Sequence, residues 1–214
     1  MPIFTKEDRT VLFIHVPKAG GSTVEKLFQV NGWREFLSIR GISQNRLKHV
    51  RIPPQHMHGD LLDTLLDLRH VEAVVMLVRN PFSRFVSGYG WQVSTQSTDL
   101  APDAWIEHTL TQCQQNPSHF FNHFRPQHQF IPRSSPAHIF RLEDGGVEAI
   151  CDLVGLAPPK SRWPWKTKTV WEKKSHVAPE ARAVFEGWRE EIERLYAEDY
   201  QRFGYDRETA HVAA

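Results

Sequence analysis

An apolar run leads directly into a glycine-rich turn at residues 11–23, and this stretch constrains the fold more than any other. Val11 to Val16 is almost wholly apolar, which predicts a buried strand of a parallel sheet. The pair Gly20–Gly21 allows the backbone to approach a ligand closely, and we expect Ser22 to cap the helix that follows. Such a helix start directs unpaired N–H groups towards an anion, and Lys18 adds a full positive charge. The stretch therefore predicts an anion-binding turn.

The order of residues in this turn differs from the phosphate-binding loop of nucleoside triphosphatases. That loop follows the pattern G-x-x-x-x-G-K-[ST], in which the lysine comes after the second glycine. Here Lys18 precedes Gly20 and Gly21, so the turn does not indicate an ordinary site for a nucleoside triphosphate and Mg²⁺. Phosphate is the expected anion, and a plain strand-to-helix turn without a ligand is the alternative.

Length and composition indicate one globular domain with no strong electrostatic bias. The 214 residues can bury a substantial core, and a formal charge of +1 gives no argument for nucleic acid or an anionic membrane as a partner. Cys113 and Cys151 match no metal or redox spacing, so we expect free thiols, with a single disulfide left open. The sequence shows neither a secretory leader nor about 20 consecutive apolar residues, so we expect a cytoplasmic protein without a membrane span.

A second buried strand is predicted at Ala73–Val78, and Arg79 stands at its carboxyl end. Asn80 suits the cap and Pro81 the first position of a helix that should run to about Trp91. Open parallel sheets bind ligands just beyond the carboxyl ends of their strands. We therefore expect Arg79 to lie at the same edge of the sheet as the glycine turn.

Strands and helices alternate along the rest of the chain. The pattern predicts an α/β fold, a single domain over residues 1–206 with a central parallel sheet flanked by helices, and a disordered tail at 207–214. The further predicted elements are a helix at 61–69, a helix at 102–114, a strand at 137–142, a helix at 147–156 and one long helix at 179–203.

Two motifs carry a resemblance to a known family. The run Pro17 to Thr23 after a hydrophobic strand resembles the 5′-phosphosulfate loop of sulfotransferases that use 3′-phosphoadenosine 5′-phosphosulfate (PAPS). The run Arg79 to Tyr89 resembles their 3′-phosphate motif, in which a strand-end arginine and a serine of the next helix hold the phosphate. Carried over by position, these two residues are Arg79 and Ser87.

Weaker segments resemble the same family. Residues 125–131 resemble a stretch of its carbohydrate branch, and in the segment 140–144 Arg141 and Glu143 are predicted to be structural. Lys173 to Ser175 resembles an Asn-Lys-Ser segment that contacts the cofactor phosphates, with lysine in place of asparagine. The residues that the resemblance assigns to the cofactor are Lys18, Ala19, Gly20, Gly21, Ser22, Thr23, Arg79, Ser87, Lys174 and Ser175.

The resemblance implies a P-loop-like fold and the activity of a PAPS-dependent sulfotransferase. Its carbohydrate branch further implies transfer of a sulfuryl group to a hydroxyl of a sugar or glycan, with 3′-phosphoadenosine 5′-phosphate (PAP) as product and no metal requirement. Lys18 would act at the leaving group, where negative charge develops. The sequence does not determine the sulfated position or the oligomeric state.

A base is also needed, because a neutral hydroxyl is a poor nucleophile. In relatives the base lies between the two cofactor motifs, often as one of a close histidine pair, so His56 is the first candidate and His58 the second. We interpret His15 as a packing residue. A zinc site at the pair would need a third ligand such as Asp60 or His70, and nothing indicates one. Three further histidines are expected to be solvated rather than to line an acceptor cleft: His119, His123 and His128.

Two other functions stay open at this point. The first is a P-loop-type kinase using ATP and Mg²⁺, which the position of Lys18 and the Arg79 motif disfavour. The second is a noncatalytic nucleic-acid-binding protein that uses the basic, tryptophan-rich segment 160–176. The same segment would otherwise form a lid over an anionic cofactor or sugar, or a solvated loop. Because the resemblance covers nearly the whole chain, we expect no nucleic-acid partner.

Overall fold

The computed structural model describes residues 1–39, 42, 46, 49–157 and 177–207. The cofactor candidates Lys174 and Ser175, the basic segment 160–176 and residues 208–214 of the predicted tail lie outside this part of the chain.

Strands in the described residues form one mixed sheet. They are β1 (Ile3–Lys6), β2 (Arg9–Ile14), β3 (Arg34–Phe36), β4 (Ala73–Val78) and β5 (His138–Arg141), and their order across the sheet is β3-β1-β2-β4-β5. Strand β4 lies between β2 and β5 and is parallel to both, whereas β1 is antiparallel to β2 and to β3. The α/β class is confirmed, and its parallel part consists of β2, β4 and β5. The two antiparallel strands were not predicted.

Helices cover both faces of this sheet. Within the described residues they are α1 (Gly21–Val30), α2 (Gly59–Leu65), α3 (Pro81–Ser94), α4 (Pro102–Gln115), α5 (Gly146–Val154), α6 (Pro179–Gly187), α7 (Arg189–Leu195) and α8 (Ala197–Phe203). Short 3₁₀ turns occur at Pro54–His56, Leu68–His70, Gln127–Phe130 and Leu142–Asp144. No helix of the described chain is both long and apolar enough to span a bilayer.

Alternate residues of the central strands face two separate cores, as the pleat requires. Phe13 and Leu77 pack with α1 and α5 on one face, whereas Ile14 and Met76 pack with the remaining helices on the other. Residues 11–14 of β2 and 74–78 of β4 are buried on both faces, which explains why these stretches are continuously apolar instead of alternating.

The predicted long helix at 179–203 is wrong in one respect: it is three helices. The backbone leaves helical geometry at Trp188 and again at Tyr196. Trp188 Nε1 donates to Asp103 at 2.7 Å, and the hydroxyl of Tyr196 donates to the carbonyl of Phe124 at 2.9 Å. The apolar stripe stays buried through both breaks, so its helical periodicity could not reveal them.

Candidate active site

The predicted anion-binding turn lies between β2 and α1, at the carboxyl end of a central strand. Helix α1 begins at Gly21, and Gly20 precedes it with φ +88° and no side-chain cap. The prediction that Ser22 caps this helix is therefore wrong, because Ser22 lies within the first turn. The amides of Gly21 and Ser22 have no carbonyl one turn earlier to bond, so they are the groups that a helix start offers to an anion.

Close packing requires both glycines of the turn. A Cβ on Gly21 would lie 2.8 Å from the ring of His15, and one on Gly20 would lie 3.1 Å from Leu142. Gly20 also has a left-handed backbone, and so does Lys18, with φ +65°. A left-handed lysine is strained, and strain of this kind is concentrated at ligand-binding sites.

Arg79 lies beside this turn, as the topology predicted. Its Nη1 donates to the carbonyl of Lys18 at 3.2 Å. Burial first, and then the charge of Arg79, lower the pKa of Lys18 to about 8, and burial lowers the pKa of Arg79 although Glu143 opposes the shift. Neither cation forms an ion pair with any described residue. Two half-buried positive charges that have no ion pair among the described residues favour the binding of an anion.

A buried glutamine holds the backbone of Arg79, and sequence reasoning missed it. Gln127 accepts from the amide of Arg79 at 3.0 Å and donates to its carbonyl at 2.8 Å. The amide of Gln127 donates in turn to the buried carboxylate of Asp199 at 2.7 Å. The available signal was the run Arg-Pro-Gln-His-Gln, which carried no assigned role because its partners are distant in sequence.

The remaining residues around Arg79 have structural contacts. Asn80 caps α3 as predicted, accepting from the amide of Ser83 at 3.0 Å, and Ser87 is buried two turns into that helix. Glu143 accepts from the amide of Asn80 and from the hydroxyl of Tyr205. Arg141 donates to the carbonyl of Gly204. The structural roles expected for Arg141 and Glu143 agree with these contacts.

Three imidazoles form a cluster next to the turn. The ring of His56 lies 5.3 Å from that of His15 and 5.0 Å from that of His123. His123 stacks on Trp91 at 4.7 Å, and Lys18 Nζ lies 5.7 Å from the centre of the Trp91 ring. The cluster therefore extends from the interior to the lysine of the anion-binding turn.

One ring nitrogen of His56 has no partner in the described structure. Its Nδ1 is buried and forms no hydrogen bond with any described residue. Burial, followed by the charges of His123 and His15, lowers the pKa of His56 well below its ordinary value. The imidazole of His56 is thus neutral at pH 7.

Asn122 fixes the position of His56 from a strained turn. Phe120, Phe121 and Asn122 all have left-handed backbones, with φ between 49° and 66°. The buried Asn122 amide donates to the carbonyl of His56 at 2.8 Å and lies 3.5 Å from Nδ1 of His58. Each left-handed non-glycine residue costs about 1–2 kcal/mol, so the surrounding contacts must hold this turn in place.

His58 lies outside the ring cluster, in a more exposed position. Burial and the charge of Arg125 lower its pKa, and Asp60 partly opposes the shift. Both of these residues line a cleft of about 630 Å³ that also contains Arg133 and Gln129. The lining of this cleft includes neither His58 itself nor Lys18 or Arg79.

Of the other histidines, His123 and His128 are not solvated as predicted, whereas His15 is buried as predicted. His123 was expected to be solvated and is buried against Trp91, where burial and then the charge of Lys18 lower its pKa to about 3. His128 is held between Asp199 and Glu198. His15 is buried, as a packing residue should be, and it also bonds the carboxylate of Glu25. Among the described residues no three His, Cys, Asp or Glu side chains are arranged to hold a metal.

A glycine turn at one parallel strand end, facing an arginine at the next, is typical of α/β proteins that bind phosphate-bearing ligands at this edge of the sheet. Residues 1–206 match the sequence profile of the Sulfotransferase family. This match covers nearly the whole chain, so the protein belongs to that family, and sulfuryl transfer is the activity that its members share. Comparisons with curated proteins and with solved structures gave no significant match.

Proposed function

We propose that this protein transfers a sulfuryl group from PAPS to a hydroxyl of a carbohydrate acceptor, with a histidine as general base. The observation that carries the proposal is the contact between Lys18 and Arg79. Two half-buried cations from different strand ends lie together, and neither forms an ion pair with a described residue. A donor with phosphates at both its 5′ and its 3′ positions would satisfy both cations.

The residues present fit such a donor. The amides of Gly21 and Ser22 and the charge of Lys18 suit the 5′-phosphosulfate, and the bare glycine backbone permits close approach. Arg79 and the buried Ser87 suit the 3′-phosphate, with Gln127 fixing the arginine backbone. Ala19 and Thr23 complete the turn, while Lys174 and Ser175 remain predictions from the family resemblance.

PAPS, when bound, supplies a sulfur–oxygen bond whose cleavage leaves negative charge on the 5′-phosphate oxygen. Lys18 and the first amides of α1 are positioned to stabilise that charge as it develops. The packing of Gly21 on His15 already holds the start of α1 in place, so these amides need little reorganisation during transfer. No metal ion is required for this arrangement of charges.

His56 is proposed to take the proton of the acceptor hydroxyl on Nδ1 while the acceptor oxygen bonds to sulfur. Its lowered pKa keeps the imidazole uncharged at neutral pH, and its Nδ1 has no hydrogen-bond partner among the described residues. His58 is the second candidate, because it adjoins the polar cleft with Arg125 and Asp60. The resemblance to the carbohydrate branch supports a sugar in that cleft.

A thermal-shift comparison of PAP, ATP and an oligonucleotide tests the proposal. A ligand at about 100 times its Kd stabilises the folded state by about 2.7 kcal/mol. In a domain of this size this corresponds to a rise in Tm of about 5–10 °C. We expect this rise with PAP alone. A response to ATP with Mg²⁺ would support a kinase, and a response only to the oligonucleotide would support nucleic-acid binding.

Screening labelled sulfate transfer from PAPS across glycans and small alcohols identifies the acceptor. We expect label in a glycan and retention of transfer after treatment with a chelator. Transfer to simple alcohols alone would contradict the carbohydrate assignment, and loss of transfer on chelation would contradict the metal-free mechanism.

A further inference from the structure

A buried carboxylate joins the anion-binding turn to the proposed base. Glu25 lies in the second turn of α1 and is fully buried. It accepts a hydrogen bond from Nδ1 of His15 and two from the side-chain amide of Gln55, at 3.0 and 3.3 Å. Because a buried carboxylate is costly unless it is hydrogen-bonded, these contacts hold Glu25 in one position.

The two residues that bond Glu25 contact different parts of the site. The ring of His15 packs directly under Gly21, where a Cβ would come within 2.8 Å, so it supports the first turn of α1. Gln55 immediately precedes His56 in a short 3₁₀ turn, and the rings of His15 and His56 lie 5.3 Å apart. The hydrogen bonds to Glu25 therefore connect the residue beneath the start of α1 with the residue that precedes His56.

We propose that Glu25 is a positioning residue that fixes His56 relative to the anion-binding turn by holding His15 and Gln55 together. The inference rests on the proposed function, in which sulfuryl donor and base must be aligned. Misplacement of a reacting group by about 1 Å can cost about 100-fold in rate. Glu25 itself contacts neither of the reacting groups.

Gln55→Ala tests this role, because it removes the link to His56 and leaves the bond between His15 and Glu25 intact. The matched control is Gln29→Ala, which removes an equivalent bond between a glutamine and Glu35 near the other end of the same helix. We expect kcat to fall about 10-fold or more in Gln55→Ala, with KM for PAPS and the Kd of PAP within about threefold of the parent. The control should retain the parental kcat.

Gln55→Glu gives a readout that a purely structural role would not change. It places a second carboxylate against Glu25, and two adjacent carboxylates share a proton at low pH and repel each other once both ionise. We therefore expect kcat of this variant to fall more steeply with rising pH than kcat of the parent.

The outcomes separate this role from the proposed function. A kcat in Gln55→Ala within twofold of the parent, an equal loss in Gln29→Ala, or a parallel loss of PAP binding would overturn the positioning role and leave sulfuryl transfer standing. A parent protein that binds PAP but transfers no sulfuryl group, or that does not bind PAP, would overturn the proposed function and this role with it.

Discussion

At the scale of single residues, the site combines charges and imidazoles whose properties depend on burial. Lys18 and Arg79 are both half-buried, and burial lowers the pKa of each. Burial also lowers the pKa of His56 and of His123, so both imidazoles are neutral at pH 7. Anion binding and proton acceptance are thus assigned to different groups, and each can be tested separately.

His56→Ala should lower turnover by about 10² to 10⁴-fold, which is the usual contribution of a general base. PAP binding should remain within about twofold, because the imidazole is not assigned to the donor. Steady-state transfer assays and calorimetry with PAP measure the two effects, with His58→Ala as the competing candidate and His70→Ala, at an exposed site, as the control. Parental turnover in both the His56 and the His58 variant would rule out a base at this histidine pair.

Arg79→Ala should weaken the binding of PAP by about 1.5–3 kcal/mol, the contribution of one charged hydrogen bond. This corresponds to about 10- to 150-fold in Kd. Calorimetric titration with PAP measures it, and Arg69→Ala, which removes an exposed arginine paired with Asp67, is the control. Equal affinity in Arg79→Ala and the parent would show that Arg79 does not bind the 3′-phosphate.

The affinity for PAP should fall as the pH rises through about 8, which is the pKa of Lys18 in the unliganded protein. Below that pH the ammonium is charged and attracts the 5′-phosphate, whereas above it the free protein must take up a proton to bind. Titrations between pH 6.5 and 9.5, about 1.5 units on either side, cover this transition. In Lys18→Met the affinity should be low at every pH, and persistence of the parental pH dependence in this variant would exclude Lys18 as its cause.

At the scale of elements, the anion-binding turn is made by β2, α1 and the residues that pack beneath them. Gly20 supplies the left-handed backbone that reverses the chain, and Gly21 allows α1 to begin directly against His15. The second candidate element is the left-handed turn at 120–122, which orients Asn122 towards His56. Both elements achieve close approach of side chains through backbone conformations that most residues avoid.

Gly21→Ala should destabilise the fold by about 1–3 kcal/mol, because the added methyl would overlap the ring of His15. It should also weaken PAP binding, since relief of the overlap displaces the first turn of α1. Chemical denaturation and calorimetry measure the two effects. Gly187→Ala in α6 is the control, as its Cβ would meet nothing within 4 Å. An unchanged Kd for PAP in Gly21→Ala would show that the helix start is not part of the donor site.

At the scale of the whole molecule, the last helix of the described chain, α8, helps to hold Arg79 in position. Asp199 in α8 accepts from the amides of Gln127 and His128, and Gln127 holds the backbone of Arg79. Residues 120 positions apart in sequence are therefore coupled through two buried side chains. We therefore expect a substitution in α8 that removes these hydrogen bonds to change ligand binding at Arg79.

Asp199→Ala should cost about 2–5 kcal/mol of stability, because it leaves two buried amides and the ring of His128 without their acceptor. At temperatures where the variant is folded, its Kd for PAP should also be raised through Arg79. Denaturant titrations and calorimetry measure these effects, with Glu198→Gln, at an exposed neighbour, as the control. A destabilised variant with parental PAP affinity would show that the hydrogen bonds of Gln127 to the backbone of Arg79 do not depend on Asp199.

Much of the fold could be predicted because the central strands are buried on both faces. The apolar runs at β2 and β4 have no other stable location, and β4 has the predicted bounds, Ala73–Val78. Strands β1 and β3 were missed because they are short, contain polar residues and lie towards one edge, where pairing with a neighbour decides the conformation. The breaks at Trp188 and Tyr196 were missed because the apolar period continues through them.

The sequence by itself determined the α/β class, the family and the residues of the anion-binding turn, because these depend on local periodicity and on motifs within a few residues. The predicted topology placed Arg79 at the same edge of the sheet as the turn, but only the tertiary structure showed which side chains meet: Arg79 with the carbonyl of Lys18, Gln127 with Arg79, and Glu25 with His15 and Gln55. These contacts join residues 10 to 61 positions apart. A pattern along the chain carries no information on which distant side chains meet, since that is decided by how helices and strands pack to bury their apolar faces.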